Sequence, residues 1–374
     1  MSIEKFPTKA WYSAGWTYEF TAAQPVRRKI LGLELVFFRN QEGKIVALDA
    51  MCPHRGADLS IGRVVNGNIE CPFHGWRFDS RGKCVMIPSQ CQSKKIPPKA
   101  EVRSYTVVES QGIIWIWPDS TPPGAVKPPY YEWLEEDYGM GMRRVRDIPM
   151  YVAAPFISVV ETAIDNTHPP FIHPGTLAGE PQVVARQTIR FDEDMRGYWG
   201  QLDPSDKVHD DVKGTEGLLG FSRRLLGVTR LDREKCYFRF DLGGVVYFYD
   251  KFVSGHEQIA LFMVTPADDT HSWFFGEHVR SFAKNVLVDY VIKKWVRQLN
   301  GEDANHGELM LSSKQANGIE IPVSVAADAP ALAFRRVFFK NIRHVDSTSK
   351  PVNDEVLDDF LVDEQAAHRS LMSV

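Results

Sequence analysis

Long apolar runs are missing from this sequence. No stretch reaches the roughly eighteen consecutive apolar residues that a membrane-spanning helix needs, and the opening MSIEKFPTKAWY has no apolar core of the kind a secretory signal carries. A helical membrane protein is therefore excluded, and a cytoplasmic location is expected. Charge of one sign is also scarce: 44 Lys and Arg against 48 Asp and Glu leave a net charge of −4, too balanced to gather nucleic acid or an anionic membrane surface. Cysteine is sparse, with five thiols (Cys52, Cys71, Cys84, Cys91 and Cys236) in 374 residues. That number in a chain of this length is no disulfide framework, so in a reducing compartment the thiols stay free to bind metal. Neither a GxGxxG dinucleotide fingerprint nor a plant-type C-x4-C-x2-C run occurs. Any chemistry that draws electrons from NAD(P)H must receive them from another protein.

What is present is an ordinary globular composition, 44% hydrophobic and 25% charged, on a chain longer than one core supports. Two domains are expected. From Lys29 to Trp117 short apolar runs alternate with turn residues, as in LELVFFRN, KIVALDA, IGRVVNGNIE, SYTVVES and GIIWIWPD, which predicts a small all-β domain over 1–118. The segment 118–133, PDSTPPGAVKPPYYEW, holds five prolines and reads as a linker into a second domain over 119–374. There SVVETAIDNTHPPFIH begins as a helix that Pro169 and Pro170 are expected to stop. Strand-like runs follow (QTIRFDED, KCYFRFDLGGVVYFYDKFV, QIALFMVTPA, HSWFFGEHVR), and then a helical stretch from about 286 to 315. The order predicts an α+β domain, an antiparallel sheet packed against helices.

Two short words carry the chemistry. Cys52-Pro53-His54 and Cys71-Pro72-Phe73-His74 each place a thiol and an imidazole together, and the strand pattern puts both at hairpin tips. Two thiolates and two imidazoles suit a tetrahedral zinc ion, or a two-iron cluster in which histidines replace two cysteines on one iron. A zinc finger of the usual kind carries its histidines on a helix, whereas here Pro and Gly flank each pair, so that backbone amides can turn toward the sulfurs. In CPHRGADL and CPFHGWRFD the chain resembles the Rieske iron-sulfur domain, and the resemblance implies a [2Fe-2S] cluster on Cys52, His54, Cys71 and His74. Cys84 and Cys91 match nothing in that pattern and are read as loop or packing residues.

The second word, ETAIDNTHPPFIHPGTL, offers Asp165, His168 and His173. Residues three apart share a helix face, so Asp165 is expected beside His168, with the proline break bending His173 back toward the same point. Two imidazoles and one carboxylate on one side of an iron leave positions open for dioxygen. By itself such a word is equally a polar helix end. Both words in this order resemble the oxygenase (α) component of Rieske non-haem iron oxygenases, of the ring-hydroxylating and demethylating family. The resemblance implies a helix-grip, START-like catalytic domain and one Fe(2+) held by His168 and His173. It also implies a third ligand from QLNGEDANHGELMLSSKQ, where EDxxxxExxQ is similar to the demethylase and monooxygenase branch and points to Asp303. Glu302 and Glu308 are the alternatives; His306 is read as solvated or packing.

The resemblance further implies that Asp165 carries electrons between subunits, from His74 of one chain to His168 of the next, within a homo-oligomer, a trimer by family habit. It implies a separate reductase, acting directly or through a ferredoxin, and O2 as co-substrate. The chain's length is similar to that of the α-only trimers, so hydroxylation or oxidative demethylation of a small aromatic or cyclic molecule by a monooxygenase is expected. Cis-dihydroxylation is the alternative reaction, and electron transfer without oxygenation the alternative class. Phe156, Tyr247, Tyr249, Phe262 and Phe274, with Phe248, Phe252 and Phe275, are aromatic candidates for the substrate pocket, and 212–230 is a candidate lid.

Overall fold

The computed structural model describes residues 3–91, 93–135, 137–138, 141–173, 187–202, 233–317 and 323–342. By its internal contacts the chain divides into Met1–Tyr130 with Thr265–Asp269, and Tyr131–Val264 with Thr270–Val374. The first unit carries two antiparallel sheets. Strands β1 (Tyr12–Trp16), β2 (Val26–Ile30), β3 (Leu33–Arg39) and β4 (Ile45–Asp49) belong to the larger, as do β9 (Ser104–Ser110) and β10 (Ile113–Trp117). Their order is β1-β10-β9-β4-β3-β2. Every residue of IIWIW in β10 is buried, so this sheet is covered on both faces where β10 lies.

The smaller sheet runs β5-β6-β7-β8, with β5 (Arg63–Val65), β6 (Asn68–Glu70), β7 (Arg77–Phe78) and β8 (Cys84–Met86). Asn66 and Gly67, both at positive φ (50° and 74°), make the tight turn between β5 and β6, as the Asn-Gly pair predicts. Val36, Phe38, Leu48, Leu59, Ile69 and Phe78 form a core in which Cys52, Cys71 and Cys84 are also buried. Glu70 is clamped on this sheet between Arg63 and Arg77, each 2.6 Å away. Burial favours its neutral form, but the two guanidiniums outweigh burial and hold the carboxyl below the usual range.

The second unit is one eight-stranded antiparallel sheet with helices. Its strands are β11 (Arg143–Arg146), β12 (Met150–Val152), β13 (Gln187–Phe191), β14 (Gly197–Leu202), β15 (Arg233–Asp241), β16 (Val245–Phe252), β17 (Glu257–Pro266) and β18 (Ser272–Arg280). The order is β11-β18-β17-β16-β15-β14-β13, with β12 also on β18. Among the described residues its α-helices are α1 (Phe156–Ile164), α2 (Pro169–Ile172), α3 (Val286–Asn317) and α4 (Ala329–Lys340). Phe156, Val160 and Ile164, spaced by four, are the buried stripe of α1. Phe334 of α4 packs on Phe156 and on Phe240 of β15, which sets the helices on the face of the sheet that Phe240 shares with its register partner Val246. This is the α+β architecture expected from the order of strand and helix runs. Among the described residues no helix is long and apolar enough to cross a membrane.

Two local readings need correction. The helix at 156 ends at Ile164, before the prolines, and Asp165 is extended (φ −76°, ψ 130°). The cause is a competing local turn: Asp165 Oδ1 accepts from both N–H and Oγ1–H of Thr167, each at 2.7 Å. Pro169 then starts the separate turn α2, where its missing N–H costs nothing and its fixed φ is helical. Strands β11, β12 and β14 escaped the sequence pattern because the first two are short and GYWGQL is interrupted by two glycines.

Candidate metal centres

The two Cys-His words fold into the same turn. In each, the cysteine carbonyl accepts from the glycine N–H four residues on, Gly56 at 2.9 Å and Gly75 at 3.1 Å. In each, the cysteine N–H donates to the carbonyl five residues on, that of Ala57 or of Trp76. Both turns require left-handed backbone at the glycine, φ 73° at Gly56 and 69° at Gly75, which explains the residue type at both places. One turn links β6 to β7, and the other is closed by the bridge between Met51 and Asp58.

The turns bury the sulfurs and expose the imidazoles. Cys52 and Cys71 are 1% and 2% exposed, while His54 and His74 lie exposed with ring centroids 4.7 Å apart. His54 also stacks flat on Trp76 at 4.5 Å, which fixes its orientation. Burial pushes the Cys52 thiol up to about 11, with the Cys71 thiol beside it adding to the effect. With its pKa raised, the Cys52 thiol binds a metal as a thiolate only because the metal's charge would deprotonate it. The Asp58 carboxylate accepts from Ser60 N–H at 2.8 Å and closes the loop after the first turn.

The second word is assembled from three elements. His168 precedes α2, His173 follows it, and Asp303 stands on α3, more than a hundred residues later. Ligand atoms of His168, His173 and Asp303 all lie within 4.8 Å of one another. Asp303 Oδ1 is 3.0 Å from His173 Nε2 and 3.6 Å from His168 Nε2. Buried His173 Nε2 and Asp303 Oδ1 make no hydrogen bond despite that approach. Adjacent ligands about 2.1 Å from a shared ion stand about 3 Å apart, so close but unaligned donor atoms are the geometry a metal requires.

A ring of partners orients these groups. His173 is fully buried, and its Nδ1 is 2.8 Å from Glu302 Oε2, whose other oxygen accepts from Gln298 Nε2 at 2.9 Å. Burial disfavours a charged His173, yet Asp303 and Glu302 outweigh it and raise its pKa. Asp165 Oδ2 lies 3.4 Å from His168 Nδ1. Burial would raise the Asp165 carboxyl, but His168 and Thr167 hold it below its ordinary value. Helix α3 is anchored next to Asp303 by Asn300, which donates to buried Asp147 at 2.9 Å.

Comparison with known proteins decides between the readings. The Rieske [2Fe-2S] domain family matches residues 10–106, and the vanillate O-demethylase oxygenase C-terminal domain family matches residues 152–343, half of the chain. The vanillate O-demethylase oxygenase subunit of a Pseudomonas species is 31% identical over 89% of this chain and 94% of its own length. The chain belongs to the Rieske non-haem iron oxygenases. The chloroplastic protein TIC 55 of Arabidopsis thaliana is 30% identical, but the match spans 52% of this chain and only 36% of that relative. The iron-sulfur subunit TsaM1 of a toluene-4-sulfonate monooxygenase system from Comamonas testosteroni is matched over 61% of its length. The crystal structure of dicamba monooxygenase bound to dicamba superposes with a TM-score of 0.73 at 25% identity, covering 90% of this chain and 97% of that one.

In this member of the family the donor sets fit the family's cofactors, one [2Fe-2S] cluster and one mononuclear iron. Two buried thiols and two exposed imidazoles suit the first, and the unpaired atoms of His173 and Asp303 suit the second. The expected shared helix face for Asp165 and His168 is replaced by the Asp165–Thr167 turn, which brings the two side chains together by another route. Glu302 faces His173 Nδ1, while Glu308 and His306 are exposed. The orienting role of Glu302 was not read from the sequence; its signal is the adjacent Glu-Asp pair, two carboxylates that reach opposite nitrogens of one buried imidazole.

The aromatic candidates divide by sheet face. Phe262 and Phe274 lie together at 5.6 Å, partly exposed on the helix-bearing face. Three others do not line that surface. Phe156 is buried core against Phe334 and Phe338, and Tyr247 packs on the opposite face against Tyr131 and Trp133. Tyr249, two residues from Tyr247 and so on its face, donates to Glu257 at 2.6 Å. The candidate lid 212–230 lies outside the described residues.

Proposed function

We propose that this chain is the terminal oxygenase of a Rieske system, using O2 and electrons from a separate NAD(P)H-dependent reductase, directly or through a ferredoxin, to hydroxylate or oxidatively demethylate a small aromatic or cyclic substrate. The observation that carries the reading is the convergence of His168, His173 and Asp303 in a chain that also presents a paired Cys-His set. The bound metals would supply one-electron storage at the cluster and O2 activation at the mononuclear iron. Cys52, Cys71, His54 and His74 would hold the cluster, and His168, His173 and Asp303 the iron.

The residues around them set direction and orientation. Glu302 accepts the Nδ1 proton of His173 and leaves Nε2 free toward the metal position. Asp165 keeps one oxygen on Thr167 and presents the other to His168. In a head-to-tail homotrimer it would meet His74 of the partner subunit and join the two centres through two hydrogen bonds. The partly exposed aromatic surface of Phe262 and Phe274 would take the substrate. The overall balance is substrate, O2, two electrons and two protons to hydroxylated product and water; a methyl ether hydroxylated on its methyl carbon releases formaldehyde. A cytoplasmic location accompanies the reading.

The test is an EPR spectrum of the dithionite-reduced protein with iron, sulfide and zinc quantified on the same sample, followed by turnover under isotopic dioxygen. A Rieske signal with about three irons and two sulfides per chain is expected, with one labelled oxygen per product. Zinc without sulfide would overturn the oxygenase reading, and two labelled atoms in a diol product would replace monooxygenation by dihydroxylation.

A further inference from the structure

The two exposed imidazoles of the Cys-His turns have different neighbours. His74 meets Phe73, the residue before it, at 4.0 Å with 35° between the rings, and Phe73 is itself exposed. His54 meets a residue of the other turn, Trp76, at 4.5 Å with only 7° between the planes. Among the described residues its other ring contact is with His74, edge-to-face at 4.7 Å, and it makes no hydrogen bond. The indole is therefore what sets the plane of the His54 ring.

Trp76 is in turn held from several sides. Gly75 before it keeps a left-handed backbone, and Arg77 after it is paired in register with Glu70 and tied to that carboxylate at 2.6 Å. Its own carbonyl accepts from Cys71 N–H at 2.8 Å and so closes the second turn. Its ring, partly buried, packs against the core that holds both cysteines. One residue thus joins the two turns, with its backbone on the cysteine of one and its ring on the histidine of the other. A leucine here would keep an apolar contact with the core and lose the stack.

Charge gives the stack a second effect. A two-iron core held by two thiolates and two neutral imidazoles gains one negative charge on reduction, and net charge and solvent exposure both set the potential of such a cluster. The face of an indole is electron-rich and is drawn to a ring that carries positive charge. An imidazole bound to iron is more positive in the oxidised cluster, so the stack favours that state. The same indole covers one face of the imidazole against water, which would otherwise solvate the added negative charge. Both effects lower the reduction potential.

We propose that Trp76 is a positioning residue of the iron-sulfur centre: it holds the plane of the His54 ligand and keeps the reduction potential below the value that the same four ligands would give without the stack. The proposal rests on the assignment of Cys52, His54, Cys71 and His74 to the cluster made above, and adds a residue outside that ligand set.

The test is potentiometry of the holoenzyme with EPR of the reduced state, neither of which needs substrate. Trp76→Leu is expected to shift the reduction equilibrium about three- to tenfold toward the reduced form, about 30–60 mV at about 59 mV per tenfold for one electron, and to change the g-anisotropy of the reduced signal. Trp76→Phe, which keeps a ring over the imidazole, is expected to recover at least half of that shift. Wild type grown with fluorinated tryptophan keeps the shape of the indole and weakens its π-density, so its potential should rise as well, by less. Trp76→Phe grown in the same way carries the label at the other eight of the nine tryptophans and should match its unlabelled form. An unchanged or lowered potential in cluster-loaded Trp76→Leu, no shift in labelled wild type, or an equal effect of the label in Trp76→Phe overturns the proposal. Should Trp76→Leu fail to hold a cluster, the isosteric labelled protein decides alone. Failure of the cluster assignment is seen separately, as zinc without sulfide in the wild-type protein.

Discussion

Replacing Glu302 separates charge from hydrogen bonding at the fully buried histidine proposed as an iron ligand. His173 is 0% exposed, with Nδ1 2.8 Å from Glu302 Oε2 and Nε2 3.0 Å from Asp303 Oδ1, so its tautomer is set by the Glu302 contact. Removing such an orienting partner costs about 10–100-fold in metal affinity, which is about 1.4–2.8 kcal/mol at about 1.4 kcal/mol per tenfold. Glu302→Gln keeps an acceptor oxygen and loses only charge, so the low end, about tenfold, is expected. Glu302→Leu also strands a buried imidazole N–H, a further penalty of order 1–3 kcal/mol, which places it at the high end. The assay is anaerobic ferrous-ion binding in competition with a colorimetric chelator, with the visible absorption of the Rieske cluster as an internal standard for folded protein. A Glu302→Leu protein with wild-type iron affinity would refute the orienting role. Loss of cluster absorption in parallel with iron would show that the substitution acts on the fold instead.

Three further outcomes follow from the geometry. Gly56→Ala and Gly75→Ala each force a left-handed alanine at about 1–2 kcal/mol; Gly75→Ala, whose Cβ would also come 3.0 Å from Pro88 Cγ while that of Gly56 meets nothing, should lose more cluster on urea titration. Glu70, held below the ordinary carboxyl range by Arg77 and Arg63 against its burial, contributes stability above that range and loses it as pH falls. The thermal advantage of wild type over Glu70→Gln should therefore shrink between about pH 5 and pH 3, and a constant difference would contradict the assignment. Asp165→Asn keeps an oxygen for Thr167 but loses the charge facing His168, and is expected to retain both metals while slowing single-turnover product formation; unchanged single-turnover rates would remove Asp165 from the electron path.

The sequence by itself determined the parts whose partners are near in the chain. Hairpin strands, the Asn66–Gly67 turn and the two Cys-x-His words are set by local spacing and by glycines that only left-handed backbone uses. The same holds for His168 and His173, five residues apart around two prolines. What only the tertiary structure decided is everything that depends on distant segments or on which way a side chain faces. Asp303 joins the histidines because α3 crosses α2, and Glu302 serves His173 because adjacent helix residues diverge around one imidazole. The helix at 156 stops early because the Asp165 side chain captures Thr167, a competition that hydrophobic period does not reveal. Among the aromatics, composition could not separate Tyr247 and Tyr249 from Phe262 and Phe274; strand parity, known only once the register was fixed, turns the first pair away from the helices and the second toward them.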